Sequence, residues 1–156
     1  MELIKLEDFD ISNIINIIKQ TGQWDDFLDE GLFEDMVNLG IVYQIYLNEV
    51  GMIGYYLLYN YQPHISVEES LYIYPEFQGK WVTRGRLKQI RDLTTSVAFD
   101  ELNVERIVGT VIESNTRSRK LTELMGLTQE GILRNTRCID GQLHNLVIYS
   151  MLRRER

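Results

Sequence analysis

Along this chain the spacing of apolar positions changes period several times, and each change marks an element. Met1 to Leu6 alternates, which predicts a short strand. After Asp10, a candidate N-cap, Ile11, Ile14, Ile15 and Ile18 share one stripe and predict a helix ending at Gly22. A second helix is predicted over Trp24 to Asn38, packing through Leu28, Leu32, Phe33, Met36 and Val37. Ile41 to Leu47 and Met52 to Tyr61 read as strands joined by the turn residues Asn48-Glu49-Val50-Gly51. Ile65 to Tyr74 is the next strand. Arg106 to Ile112, apolar on both faces, is predicted to lie centrally. A helix capped by Ser114 or Asn115 holds Leu121, Leu124 and Met125 and stops at Gly126. Finally, Ile132 to Ile139 and Gln142 to Leu152 form a hairpin on Asp140-Gly141.

The stretch from Leu71 to Phe99 stands at the centre of this order. The strand Leu71-Tyr72-Ile73-Tyr74 is ended by Pro75, and a polar loop follows. A helix capped by Thr83 then carries Leu87, Ile90, Thr94, Val97 and Ala98 on one stripe. With Arg106 to Ile112 this makes a strand–helix–strand unit with parallel strands, whose ligands gather at the strands' carboxyl ends. A helix N-terminus fed by a loop offers unpaired N–H groups and a positive dipole end, which suits a phosphate. Lys80, Arg84, Arg86 and Lys88 add positive charge there. A solvated basic face is the plain alternative.

Composition narrows the classes. The 156 residues suit one domain, 1-156, and 44% apolar with 25% charged content is that of a globular protein. A formal charge of −7 argues against a general nucleic-acid binder and suits a cationic partner. Asp25, Asp26, Asp29, Glu30, Glu34 and Asp35 crowd one segment, either as a solvated face or as an acidic wall beside a cation site. Cys138 is the only cysteine, and His64 and His144 the only histidines, so neither a disulfide nor a zinc site is expected. No apolar run resembles a signal peptide or a membrane span; the expected compartment is reducing and cytoplasmic.

The order strand, two helices, three strands, helix, strand, helix, two strands resembles the GNAT acyltransferase superfamily. Tyr74-Pro75-Glu76-Phe77-Gln78-Gly79-Lys80 is similar to the start of its acetyl-CoA pyrophosphate loop, Q/R-x-x-G-x-G/A. Glu113-Ser114-Asn115-Thr116-Arg117-Ser118 resembles its N-x-x-S segment. Gly126-Leu127, Glu130-Gly131 and Arg134 match its G-F-x-x-E-G-x-x-R run. The terminal hairpin resembles that of the branch acetylating ribosomal-protein N-termini. The resemblance implies an α+β, three-layer fold: a mixed, mostly antiparallel sheet with a central parallel pair and helices on both faces. Two departures stand out. Trp81 occupies a glycine position of the loop, where a left-handed backbone would cost roughly 1–2 kcal/mol; its indole would otherwise cover the cofactor or pack below the loop. The run Gly-Lys-Trp-Val-Thr-Arg is also similar to a variant of phage-encoded members. Thr122 stands where many relatives carry a tyrosine general acid.

By this resemblance the chain is expected to transfer an acetyl group from acetyl-CoA to a primary amine by direct attack on the thioester. The acceptor would be a protein N-terminus, a lysine or a small cationic amine. Glu68 is the expected general base, with Glu69 and His64 behind it, because an amine with a reference pKa near 10.4 must shed a proton. Backbone N–H groups around Tyr72 and Ile73 are expected to meet the oxyanion. Gln78, Gly79, Lys80, Trp81, Val82, Thr83 and Arg84 would hold the pyrophosphate, Asn115 and Ser118 the pantetheine arm, and Arg117 or Arg119 the 3′-phosphate. No metal is expected; a homodimer is compatible with the exposed terminal strands. The competing expectation is a GNAT-fold protein without catalysis, serving as a binding component or a structural part of a phage virion.

Overall fold

A computed structural model describes residues 1–26 and 28–156. Its elements follow the predicted order: β1 (Glu2–Lys5), α1 (Ser12–Gln20), α2 (Glu30–Asn38), β2 (Ile41–Leu47), β3 (Gly51–Gln62), β4 (Ser66–Ile73), α3 (Arg84–Thr95), β5 (Arg106–Ile112), α4 (Thr116–Leu124), β6 (Thr128–Ile139) and β7 (Gln142–Leu152). The strands form one sheet in the order β1-β2-β3-β4-β5-β7-β6, and β4–β5 is its parallel pair. Local chemistry explains most boundaries. Thr83 Oγ1 accepts from Arg86 N–H (3.2 Å) to start α3, and Asn115 Oδ1 accepts from Ser118 N–H (3.0 Å) to start α4. Asp140 and Gly141 both have positive φ (50° and 71°), as the two-residue hairpin turn requires.

Two expectations need correction. The predicted helix from Trp24 is confined to α2: the Asp29 carboxylate accepts from Gly31 and Leu32 N–H and starts the helix there. Ahead of it, Asp26 bonds the distant β6–β7 turn; Phe27 lies outside the described residues. Phe33 and Val37 are buried as predicted, whereas Leu32 is 66% exposed. The predicted α3 stripe continues past Thr95 as a π-helical segment, Ser96–Glu101, in which Leu102 N–H reaches Val97 C=O (3.0 Å).

The sheet is covered on both faces. Helices α1 and α2 pack on Val42, Tyr55, Leu57, Tyr59, Tyr72 and Tyr74. On the other face α3, the π-helical segment and the end of α4 pack on Tyr43, Ile45, Tyr56, Leu58, Val67, Ile73, Val147 and Tyr149. Strand alternation therefore sends Glu68, Ser70 and Tyr72 of β4 to the first face, and Glu69, Leu71 and Ile73 to the second.

Glu69 is the exception within the second core. Its side chain is buried and accepts a hydrogen bond from the Tyr56 hydroxyl (2.8 Å). Burial raises its pKa from 4.5 to about 7, against a smaller opposing effect of the Tyr56 bond. The native state thus holds this proton more tightly than the unfolded chain. The resulting stabilisation is complete below pH 4.5 and is lost as pH rises through about 7. A shift of this size corresponds to at most about 3 kcal/mol. Denaturant titrations from pH 5 to 8 should show stability falling with pH, and Glu69→Gln should flatten that slope. An equal slope in the variant would assign the effect to other groups.

Candidate functional site

Four consecutive register pairs join β4 to β5, from Ser66↔Arg106 to Glu69↔Gly109, and there the pairing ends. Beyond it Ser70–Ile73 and Thr110–Ile112 part into a cleft, while β4 stays paired to β3 and β5 to β7. Backbone direction follows from a single bond. Tyr74 N–H donates to Ile53 C=O on β3 (3.0 Å), so the alternating peptide groups of Tyr72 also face β3. Gly54 agrees, since a Cβ there would lie 2.1 Å from the Tyr72 carbonyl oxygen. The N–H groups of Leu71 and Ile73 therefore face the cleft. Of the two expected oxyanion positions, Ile73 turns its N–H to the cleft, as Leu71 does, and Tyr72 turns its N–H to β3.

The loop that follows closes the mouth of the cleft. After a 3₁₀ turn at Pro75–Phe77, Gln78 Nε2 donates back to Ile73 C=O (3.2 Å). Gly79 takes φ +74°. Trp81 is not among the residues with positive φ; its indole is 3% exposed and belongs to the core cluster beneath the loop. The loop's left-handed point is thus Gly79, and the bulky residue is its anchor. The N–H groups of Gly79, Trp81, Val82, Thr83, Arg84 and Gly85 make no hydrogen bond to a described residue. They form an array of donors at the positive end of α3.

Cations surround this array unequally. Arg86 lies 3.9 Å from Glu49 and Lys88 bonds Asp92 (2.5 Å), so both charges are partly spent. Arg119 is held by Tyr149 Oη (3.1 Å), Gln129 Oε1 (3.3 Å) and Glu113 C=O (3.4 Å), in the packing of α4 onto β7. Arg117 is different. A Cβ on Gly79 would fall 1.2 Å from Arg117 Nη2, so its guanidinium lies directly over the loop glycine. Thr122 Oγ1 donates to Ser118 C=O (3.0 Å), and that hydroxyl is turned into its own helix.

The opposite face of β4 carries Glu68, the expected base, with Ser70 and Tyr72, and the folded chain adds partners from elsewhere. Glu68 Oε1 accepts from Asn60 Nδ2 (3.0 Å). Ser70 Oγ lies 3.2 Å from Tyr59 Oη; burial raises the pKa of the Tyr59 and Tyr72 phenols. Arg137 Nη1 approaches Asp25 Oδ2 at 3.6 Å, and its charge is felt at the hydroxyls of Tyr59 and Tyr72. Next to it, Asp26 straps the α1–α2 connection to the hairpin: it accepts from Gly141 N–H (2.8 Å) and Asp140 N–H (3.3 Å), and its own N–H donates to Cys138 C=O (2.6 Å). The only signal in the sequence was the acidic crowding from Asp25 to Asp35. Asp25, Asp26, Asp29 and Glu30 prove to be engaged in this strap, in the α2 cap and in a pair with Lys19. His64 sits apart, in the β3–β4 turn beside Asn103 (3.2 Å).

Trp81 gives a direct test of this loop architecture. Trp81→Ala should lower unfolding stability by about 3–5 kcal/mol, the usual cost of emptying a large core site. An exposed cofactor lid would lose little stability on the same change.

Comparison with known proteins agrees with this geometry. A family model described as an acetyltransferase (GNAT) domain matches residues 13–128. Over 94 residues, 60% of this chain, the sequence is 31% identical to YdaF of Bacillus subtilis (strain 168), a protein named as a ribosomal N-acetyltransferase. That match spans about half of the relative, 49% of its length. Among solved structures, spermidine N-acetyltransferase from Vibrio cholerae in complex with CoA and spermine superposes with TM-score 0.78 at 23% identity, over 99% of this chain and 96% of that one. A crystal structure bearing the name Probable acetyltransferase gives TM-score 0.64 at 27% identity, over 81% and 72% of the two chains. With its parted parallel strands, glycine-turned loop and three-quarter-length family match, the chain belongs to the GNAT acetyltransferase family.

Proposed function

We propose that residues 1–156 form one acyltransferase domain that carries an acetyl group from acetyl-CoA to a primary amine. The observation that supports this most strongly is the continuity of the cleft with the donor array: cleft-facing N–H groups on β4 lead into six unbonded N–H groups around Gly79. The residues present fit the cofactor. Gly79, at φ +74°, lets the loop backbone come directly under the Arg117 guanidinium, which a Cβ there would have to displace. When bound, acetyl-CoA supplies an acyl group activated as a thioester.

The chain's own groups divide the remaining work. Amides from Gly79 to Gly85 hold the pyrophosphate, with charge from Lys80, Arg84 and Arg117. Arg117, not the engaged Arg119, is the arginine for the cofactor. Asn115 spends Oδ1 on its cap and keeps its amide N–H₂ for the pantetheine arm, as Ser118 keeps its hydroxyl. The Leu71 and Ile73 N–H groups are aimed to stabilise oxyanion charge within the cleft. Glu68, on the acceptor face and held by Asn60, takes the proton from the amine. The catalytically silent alternative rested on Trp81 and Thr122; with Trp81 beneath the loop, half of its ground is gone. No described helix is long and apolar enough to cross a membrane. A lone, buried Cys138 suits a reducing compartment.

Isothermal titration with acetyl-CoA should show saturable binding. Arg117→Ala should weaken it about tenfold or more, since a charge-assisted bond is worth about 1.5–3 kcal/mol. No heat of binding at millimolar ligand would sink the proposal. In steady-state assays, Glu68→Gln should lower kcat by roughly 10²–10⁴-fold, the usual contribution of a general base; an unchanged kcat would take Glu68 out of the site.

A further inference from the structure

The β3–β4 ladder slips just beside Glu68. Tyr59 faces Glu68 and Gln62 faces Ser66, so three steps along β3 match two along β4 and one residue bulges. Inside the bulge Asn60 takes φ +48°, a left-handed conformation that only glycine, asparagine and aspartate adopt readily. From there its side chain reaches across the pair, and Nδ2 donates to Glu68 Oε1 at 3.0 Å. Among the described residues this is the only hydrogen bond Glu68 makes. Tyr59, its direct cross-strand neighbour, turns its hydroxyl to Ser70 Oγ instead (3.2 Å).

Two demands meet at position 60. The bulge needs a residue that accepts positive φ, and the Glu68 carboxylate needs a donor. Glycine meets the first demand but offers no side-chain donor. Aspartate would set a second carboxylate against the first. Asparagine meets both. The location gives the bond its consequence: Glu68 stands one position before the last β4–β5 pair, Glu69↔Gly109, at the edge of the cleft. With Oε1 held by Asn60, Oε2 is the oxygen left to accept a proton.

We infer that Asn60 is a positioning residue, whose left-handed bulge presents the amide that fixes the Glu68 carboxylate for proton transfer. This rests on the N-acetyltransferase reading above, with Glu68 as base, and adds the group that aims it. The proton passes from the acceptor's ammonium nitrogen to Glu68 Oε2; the Asn60 amide keeps both of its own.

The test is a thiol-release assay with acetyl-CoA, using spermidine and a peptide amide with a free N-terminus as amine probes. Asn60→Gly keeps the left-handed backbone and removes the donor. It should lower kcat about tenfold, while both KM values and the unfolding midpoint stay near those of the wild type. Asn60→Asp fits the same backbone and should lower kcat at least as much. In the Glu68→Gln background Asn60→Gly should cost nothing further, because its effect passes through the carboxylate. A second readout needs no substrate. As pH is lowered through the carboxylate range, the Asn60 side-chain amide signals in heteronuclear NMR spectra should shift, and Glu68→Gln should abolish that shift. An equal kcat loss in both backgrounds, or an amide shift that survives Glu68→Gln, would overturn the inference. A silent Asn60→Gly beside an impaired Glu68→Gln removes this inference alone. If Glu68→Gln itself leaves kcat unchanged, the base reading fails and the inference falls with it.

Discussion

The end of the β4–β5 ladder at Glu69 and Gly109 is the constraint from which the site follows. Backbone donors and acceptors inside a fold must be paired, and two strands that part leave theirs without strand partners. A sheet can sustain such a gap where a ligand enters it. Because the pair is parallel, the chain must cross over between the strands, and α3 is that crossover. The same topology that opens the cleft therefore brings a helix N-terminus to its mouth. Cleft amides and loop amides are two results of one connection.

Strand alternation then separates the chemistry by face. Side chains of Glu68, Ser70 and Tyr72 belong with α1, α2 and the strapped hairpin, and so with whatever approaches from that side. Leu71 and Ile73 send their side chains to the α3 core while their N–H groups edge the cleft. One short strand thus turns its side chains to the two faces and its alternate N–H groups to the cleft. Glu69 shows what a one-residue displacement does: an adjacent carboxyl, turned to the α3 face, loses contact with solvent, bonds Tyr56 and titrates near neutrality.

What the sequence discloses and what it conceals divide along range. Asp140-Gly141, Gly126 and Asn115 carry their conformations in their own chemistry, and all three appear as read. Trp81 was ambiguous because one residue can meet a glycine pattern by backbone or by burial. The structure chooses burial and moves the left-handed turn to Gly79. The helix predicted from Trp24 failed because Asp25 and Asp26 bond residues more than a hundred positions away, information that no local period contains. Arg137 was illegible for the same reason: only the folded hairpin sets it beside Asp25. The choice between Leu71 and Tyr72 as a cleft donor needed the paired edge of β4, which alternation alone leaves undetermined.

The chain's charge then acts on two scales. A net charge of −7 attracts ammonium groups from a distance, but over about a Debye length of 8 Å salt removes most of that preference. It cannot tell one amine from another. Selection among amines has to come from groups that touch the acceptor directly. The acidic segment that suggested a cation-binding wall contributes mainly by holding the hairpin, and Arg137 with it, in place. Two of its carboxylates, Asp25 and Asp26, are thus bound to the hairpin, whereas Glu34 and Asp35 stay exposed and contribute to the long-range field.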